Sequence, residues 1–72
     1  MQKFIIVNGF EIKRINDNTY LVNNILTLNT DEKRIIISME AKTKEAEKIY
    51  LNCKEELQRY IQQYDFFIEL QK

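Results

Sequence analysis

The chain has 72 residues, one cysteine, no histidine, and 11 basic side chains against 11 acidic ones. A single cysteine excludes a disulfide within the chain, and without histidine there are too few ligands for a tetrahedral zinc site. We therefore expect no metal and no cofactor. Zero net charge argues against the positive field with which proteins attract nucleic acid. A chain this short buries only roughly 60% of its unfolded surface, so a partner subunit is an expected source of stability.

The N-terminal segment has too few apolar residues for export or membrane insertion. Lys3 is followed by four apolar residues, 4–7, whereas a signal peptide needs roughly 7–15 and a membrane span about 20. We expect a cytoplasmic protein without membrane contact, in which one reduced cysteine is normal.

Two short runs rich in β-branched and aromatic residues predict a hairpin at the start of the chain. They are Lys3–Val7 and Phe10–Ile15, separated by Asn8-Gly9. Asn-Gly favours a type I′ turn, which requires positive φ at both central residues. Because Ile15 breaks the alternation of the second run, we expect a bulge near Lys13-Arg14 or an early strand end.

The middle of the chain predicts either one long strand or two short ones. Alternation over Thr19–Leu28 places four apolar residues on one face: Tyr20, Val22, Leu26 and Leu28. We favour one long strand bent at Asn23-Asn24 over two strands joined there by a tight turn. A last strand is predicted over Lys33–Met39. The expected sheet is an antiparallel β-meander of three to four strands within residues 3–39.

A long amphipathic helix is predicted over about residues 43–68, with Thr43 as its N-cap. Apolar residues recur at alternating steps of four and three, which places them on one side of a helix: Ala46, Tyr50, Cys53, Leu57, Tyr60, Tyr64 and Phe67. The expected fold class is therefore α+β, an antiparallel meander followed by one long C-terminal amphipathic helix. Residues 1–72 are expected to form a single domain.

The length of this helix predicts a partner chain. About 26 helical residues span ~39 Å, whereas strands of five or six residues give a sheet only ~17–20 Å long. We expect the aromatic end of the helix to extend past the sheet. The second face of the sheet also has apolar residues, Leu21, Ile25 and Ile36 among them. A symmetric homodimer that pairs the helix ends or the sheets would bury both surfaces.

Five aromatic residues are candidate interaction residues: Tyr50, Tyr60, Tyr64, Phe66 and Phe67. Tyrosine is enriched at binding hot spots, but the three tyrosines share the helix stripe and fit equally well as core lining with hydroxyls at the rim. Cys53 has no histidine to activate it and is interpreted as a buried structural thiol. No phosphate-binding loop, metal-ligand cluster or catalytic triad is found, so we predict that the protein is not an enzyme.

The function favoured by the sequence is a small non-enzymatic protein–protein interaction module that acts as a homo-oligomer. Its small size and its many Ile, Lys and Asn residues, which have AT-rich codons, point to a regulator or inhibitor from a phage or mobile element. One alternative is nucleic-acid binding by the sheet face, with Lys13-Arg14 and Lys33-Arg34 near Tyr20; the zero net charge makes it less favoured. Another is a sponge that binds a small ligand between subunits.

Overall fold

The computed structural model describes residues 3–71. Five strands form one antiparallel sheet in chain order, and two helices follow. The elements are β1 (Phe4–Val7), β2 (Phe10–Asn16), β3 (Thr19–Val22), β4 (Leu26–Thr30), β5 (Ile36–Ala41), α1 (Lys44–Gln62) and α2 (Tyr64–Leu70). The predicted α+β class and antiparallel meander are confirmed. The sheet has more strands than predicted, and the C-terminal helix is divided in two.

The β1–β2 hairpin forms around Asn8-Gly9. These two residues have φ values of 47° and 83°, the left-handed conformation that a type I′ turn requires. The expected bulge in β2 is also present, just after its predicted position. The register between β2 and β3 shifts between Arg14 and Asn16, so Ile15 is the extra residue and its side chain is exposed.

Asn23 and Asn24 form a turn between two strands, and the predicted single long strand is wrong. Both residues lie in the left-handed region, with φ of 52° and 62°, which asparagine tolerates better than most residues. The Asn23 side-chain oxygen accepts a hydrogen bond from the Glu11 amide, and the Asn23 amide donates to the Glu11 carbonyl. These two bonds attach the turn to β2 and hold the left-handed conformation in place.

The last strand begins three residues later than predicted, at Ile36 rather than Lys33. The Asp31 carboxylate accepts hydrogen bonds from the amides of Lys33 and Ile35, and Arg34 has φ of 66°. Residues 31–35 therefore form a tight loop that delays the strand. A register shift opposite Thr30 follows, between Ile36 and Ser38.

The core lies between one face of the sheet and α1. The four residues predicted to share a face in the middle of the chain are at most 1% exposed: Tyr20, Val22, Leu26 and Leu28. Thr43 Oγ1 accepts a hydrogen bond from the Ala46 amide at 3.0 Å, which confirms Thr43 as the N-cap of α1. The predicted second apolar face is only partly correct. Ile25 and Ile36 pack against the core, and Leu21 is half-buried.

The C-terminal helix breaks at Gln63, which corrects the predicted overhang. Gln63 has φ of −101° and ψ of 13°, and its amide bonds to the carbonyls of Arg59 and Ile61. α2 then contacts β1 instead of extending past the sheet. The longest dimension of the molecule is 34 Å, shorter than an unbroken helix of ~39 Å. Tyr60 and Tyr64 are buried in their own chain, so they need no second chain to cover them.

Tyr64 closes the end of the first hairpin. Its hydroxyl donates to the Lys3 carbonyl at 2.9 Å and accepts from the Arg14 amide at 3.3 Å. The β1–β2 register places Lys3 opposite Arg14, so the hydroxyl bridges the two strands where their ladder would otherwise continue. The Tyr64 ring also packs edge-on against the Tyr20 ring, with centroids 5.5 Å apart.

Removing the hydroxyl from Tyr64 and from Tyr20 should affect stability differently. Tyr64→Phe leaves the Lys3 carbonyl and the Arg14 amide without their shared partner, so we expect a loss of about 1–2 kcal/mol in the free energy of unfolding. Among residues 3–71 the buried Tyr20 hydroxyl has no hydrogen-bond partner, so Tyr20→Phe should cause no loss or a small gain. Urea denaturation followed by circular dichroism measures both, and equal destabilisation of the two variants would contradict the assignment.

Candidate interaction site

The five aromatic residues predicted for interaction fall into two environments. Tyr50, Tyr60 and Tyr64 are buried in the monomer. They line the core, which was the second interpretation of these tyrosines. Phe67 is half-buried against the same core, whereas Phe66 is exposed. Phe66 is therefore the member of this set whose ring a partner can reach. That these residues contact a partner stays a prediction.

Tyr60 connects the first hairpin to both helices. Its hydroxyl accepts a hydrogen bond from the Asn8 side-chain nitrogen at 2.6 Å and donates to the Glu56 carboxylate at 3.3 Å. Its ring centroid lies 6.3 Å from that of Phe10 and 6.2 Å from that of Phe67. The same side chain thus fixes the turn before β2 and the inner side of α2.

Four exposed apolar side chains lie on β1 and on α2, two elements that contact each other. Phe66 and Leu70 of α2 are 60% and 65% exposed and lie one helical turn apart. On β1, Ile6 and Phe4 are 59% and 38% exposed. We call these four residues the strand–helix surface. Sequence reasoning named Phe66 as a candidate; Phe4 and Ile6 are exposed because strand alternation places them on the face of β1 opposite the buried Ile5.

Gln71 holds the end of α2 against β1. In the orientation that satisfies both ends of its side-chain amide, the nitrogen donates to the Phe4 carbonyl at 3.2 Å and the oxygen accepts from the Ile6 amide at 3.3 Å. β1 is an outermost strand of the sheet, and an edge strand presents unpaired main-chain groups on its free side. Gln71 therefore occupies part of an open edge and keeps α2 beside the exposed side chains of β1.

Asp65 ties α2 to β2 and to the loop before β5 through two arginines. Its carboxylate oxygens lie 3.3 Å from Arg14 Nη1 and 2.8 Å from Arg34 Nη2. The hydrogen bond from Arg34 lowers the pKa of Asp65 below its ordinary value and raises the pKa of Arg34. The Arg14 guanidinium also lies 5.5 Å from the centre of the Tyr64 ring, and burial raises the pKa of that tyrosine.

The basic residues of the alternative nucleic-acid site are paired with acidic side chains or lie off the sheet. Lys13 pairs with Glu11 at 3.7 Å, and Lys33 lies in the loop after β4. Arg14 and Arg34 are engaged by the carboxylate of α2, as described above. A protein that holds a nucleic-acid backbone presents several basic side chains to successive phosphates, and this arrangement does not favour that interpretation.

Cys53 is half-buried rather than buried. It lies at a point inside α1 where the backbone leaves helical geometry, with φ of −119° and ψ of 18°. Among residues 3–71, no three His, Cys, Asp or Glu side chains are placed to hold a metal ion. No helix in the described part of the chain is both long and apolar enough to cross a membrane.

Comparison with models of protein families, with curated proteins and with solved structures finds no match for this chain. Function is therefore inferred from the geometry of the strand–helix surface.

Asp65→Asn should reduce the acid sensitivity of the fold. The pKa of Asp65 is lower in the folded protein than its ordinary value of 3.8. Its ion pairs therefore stabilise the fold above about pH 4, and this contribution disappears as the pH falls through the folded pKa. The Asp65 side chain is 61% exposed, so solvent screening keeps the effect small.

Urea denaturation at several pH values between about 6 and 2 measures this effect. Asp65→Asn should be less stable than the wild type at the upper end and should lose less stability on acidification. Glu55→Gln, on the exposed side of α1, is the control and should keep the wild-type pH dependence. An Asp65→Asn variant with an unchanged pH dependence would show that these ion pairs do not hold α2.

Proposed function

We propose that this chain is a small non-enzymatic protein–protein interaction module that acts as a homo-oligomer. The strand–helix surface is the observation that carries this proposal. Large apolar side chains that stay exposed on neighbouring elements of a small domain are typical of a docking surface. Of the five candidate aromatic residues, Tyr50, Tyr60 and Tyr64 are buried and Phe67 is half-buried, so Phe66 is the natural centre of such a surface.

The local packing supports Phe66 as a preformed anchor for a partner. Its ring lies 5.9 Å from the half-buried Phe67 ring, in an edge-on arrangement. Phe67 in turn packs on Tyr60. A side chain supported in this way loses little freedom when it binds, which favours affinity. Asp65 and its arginines lie at one end of α2 and supply the polar rim that usually surrounds such a site.

We expect a domain of this size to act by occupying the surface of another protein. The role we propose is that of a regulator or inhibitor, of the kind that phages and mobile elements encode. The partner is expected to present an apolar groove or helix face to Phe66 and Leu70, since both side chains project from one side of α2.

Phe66→Glu should abolish capture of the partner. Tagged wild-type protein, Phe66→Glu and Leu70→Glu are used as baits in a lysate of the source organism, and captured proteins are identified by mass spectrometry. The control is Leu51→Glu, because Leu51 is 66% exposed but lies on α1. We expect enrichment with the wild type and the control, and at least a roughly tenfold loss with the other two variants.

A partner that is captured equally by the Phe66→Glu and Leu70→Glu variants would contradict the proposal, provided that circular dichroism shows both variants to be folded. Capture of nucleic acid that weakens steeply with salt, and that requires Lys13 or Lys33, would support the nucleic-acid alternative instead.

A further inference from the structure

The turn between β1 and β2 places an exposed asparagine, Asn8, directly before Gly9, the single glycine of the chain. An asparagine side-chain amide is chemically labile, because the main-chain nitrogen of the next residue can attack it. Glycine hinders this attack least, since it has no side chain. Apart from its chain neighbours, nothing lies within 4 Å of the place that a Cβ of Gly9 would occupy. Among residues 3–71 no hydrogen bond engages the Gly9 amide, so its nitrogen is free to react.

The conformation of the turn keeps this nitrogen away from the Asn8 side chain. With φ of 47° at Asn8 and 83° at Gly9, the turn is of type I′, in which ψ of the first central residue is about 30°. At this ψ the following nitrogen lies nearly opposite Cβ across the Cα–C bond. A type II′ turn has a similar φ at its first central residue but a ψ of about −120°, which places the nitrogen beside the side chain.

Gly9 allows the turn to change between these two forms. Rotation of the peptide group between Asn8 and Gly9 converts type I′ into type II′ and changes the φ of Gly9 from positive to negative. Glycine adopts both signs about equally readily, and both turn types join two-residue hairpins. The reactive geometry is thus reached without separating β1 from β2.

The Tyr60 hydroxyl holds the Asn8 side chain away from this reactive geometry. It accepts a hydrogen bond from Asn8 Nδ2 at 2.6 Å and donates to the Glu56 carboxylate at 3.3 Å. Tyr60 is a buried residue of α1, so the contact fixes the Asn8 amide towards the helix. For attack, Asn8 Cγ must turn towards its own main chain, and the bond to Tyr60 must break.

We propose that Asn8 is a deamidation site whose rate the Tyr60 hydroxyl controls. The Gly9 nitrogen loses its proton and attacks Asn8 Cγ. A Cγ–N bond forms, the Cγ–Nδ2 bond breaks, and the departing nitrogen takes up a proton and leaves as ammonia. Water then opens the resulting ring at either carbonyl, which gives aspartate or isoaspartate and restores the N–H of Gly9. Water is the co-reactant, and the inference goes beyond the proposed function without depending on it.

Either product breaks the connection between the turn and α1. An aspartate carboxylate has no hydrogen to donate to Tyr60, and the single O–H of Tyr60 already bonds to Glu56. The new carboxylate and that of Glu56 would face the same hydroxyl, where like charges repel. Isoaspartate inserts Cβ into the main chain of the turn, so the type I′ conformation is lost. Because ammonia departs, the change is irreversible.

Timed incubation of the folded protein at mildly alkaline pH, followed by tryptic digestion and mass spectrometry, measures the conversion. Cleavage after Lys3 and Lys13 gives a peptide that contains Asn8 and no other asparagine. We expect Asn8 to convert first. Asn24 is the internal control, because its φ of 62° is similar but it is followed by Ile25, whose branched side chain hinders attack. Asn24 should stay intact.

Two tyrosine variants separate the role of this hydroxyl from general stability. Tyr60→Phe frees the Asn8 amide, so Asn8 should convert roughly two- to tenfold faster, the range that one hydrogen bond supports. Tyr64→Phe is the matched control, because its hydroxyl bonds to Lys3 and Arg14 instead. It should convert Asn8 at nearly the wild-type rate, and circular dichroism checks that both variants are folded.

A comparison within the wild type covers the case in which Tyr60→Phe does not fold. Asn8 of the wild type should convert more slowly in buffer than in urea, because only the folded chain holds the amide at Tyr60 and the turn in type I′. Equal rates in the two solutions would overturn the inference.

Three further outcomes would contradict the inference. One is an intact Asn8 after another asparagine has converted. The second is a folded Tyr60→Phe variant that converts no faster than the wild type. The third is equal acceleration by Tyr60→Phe and Tyr64→Phe, because the rate would then follow overall stability. None of these outcomes involves Phe66, so the proposed docking surface is tested separately.

Discussion

The hydroxyl of Tyr64, held between the Lys3 carbonyl and the Arg14 amide, determines where the end of the chain lies. The bond to Lys3 joins residues 61 positions apart in a chain that has no disulfide to do so. Tyr64 reaches this position because α1 stops at Gln62. With the helix broken there, Tyr64 and Phe67 turn towards the core, and Phe66 is left outside. The end of the helix therefore does not extend past the sheet, as the sequence predicted, but lies beside β1 with a short exposed surface.

Sequence reasoning predicted the features that local chemistry determines and missed those that distant residues determine. The hairpin at Asn8-Gly9 and the cap at Thr43 depend on a turn pair and on one hydroxyl, so they could be predicted from neighbouring residues. The turn at Asn23-Asn24 depends on Glu11, which lies 12 positions away, and no local pattern reveals that bond. The end of α1 has neither glycine nor proline to mark it; the contacts of Tyr64 with the first hairpin set it instead.

For the candidate interaction site, too, sequence reasoning predicted some features and missed others. Apolar periodicity placed Tyr60 and Tyr64 on the correct side of the helix, but periodicity cannot distinguish a core from an interface. Leu70 lies off the apolar stripe of the helical pattern, and Ile6 alternates with Ile5, but the sequence alone does not show which face of β1 is buried. The glutamine that bonds to the sheet edge, Gln71, occupies an ordinary exposed position in the helical pattern. Its role becomes evident only when strand order identifies β1 as an outer strand.

The break between α1 and α2 is the central claim, because both the buried tyrosines and the exposed strand–helix surface depend on it. Nuclear Overhauser contacts between the ring protons of Tyr64 and Tyr20 measure it directly, since the ring centroids lie 5.5 Å apart in the folded chain. We predict strong cross-peaks between the two rings. Their absence, together with uninterrupted helical contacts through Gln63, would show that the helix continues past the sheet and would contradict the account.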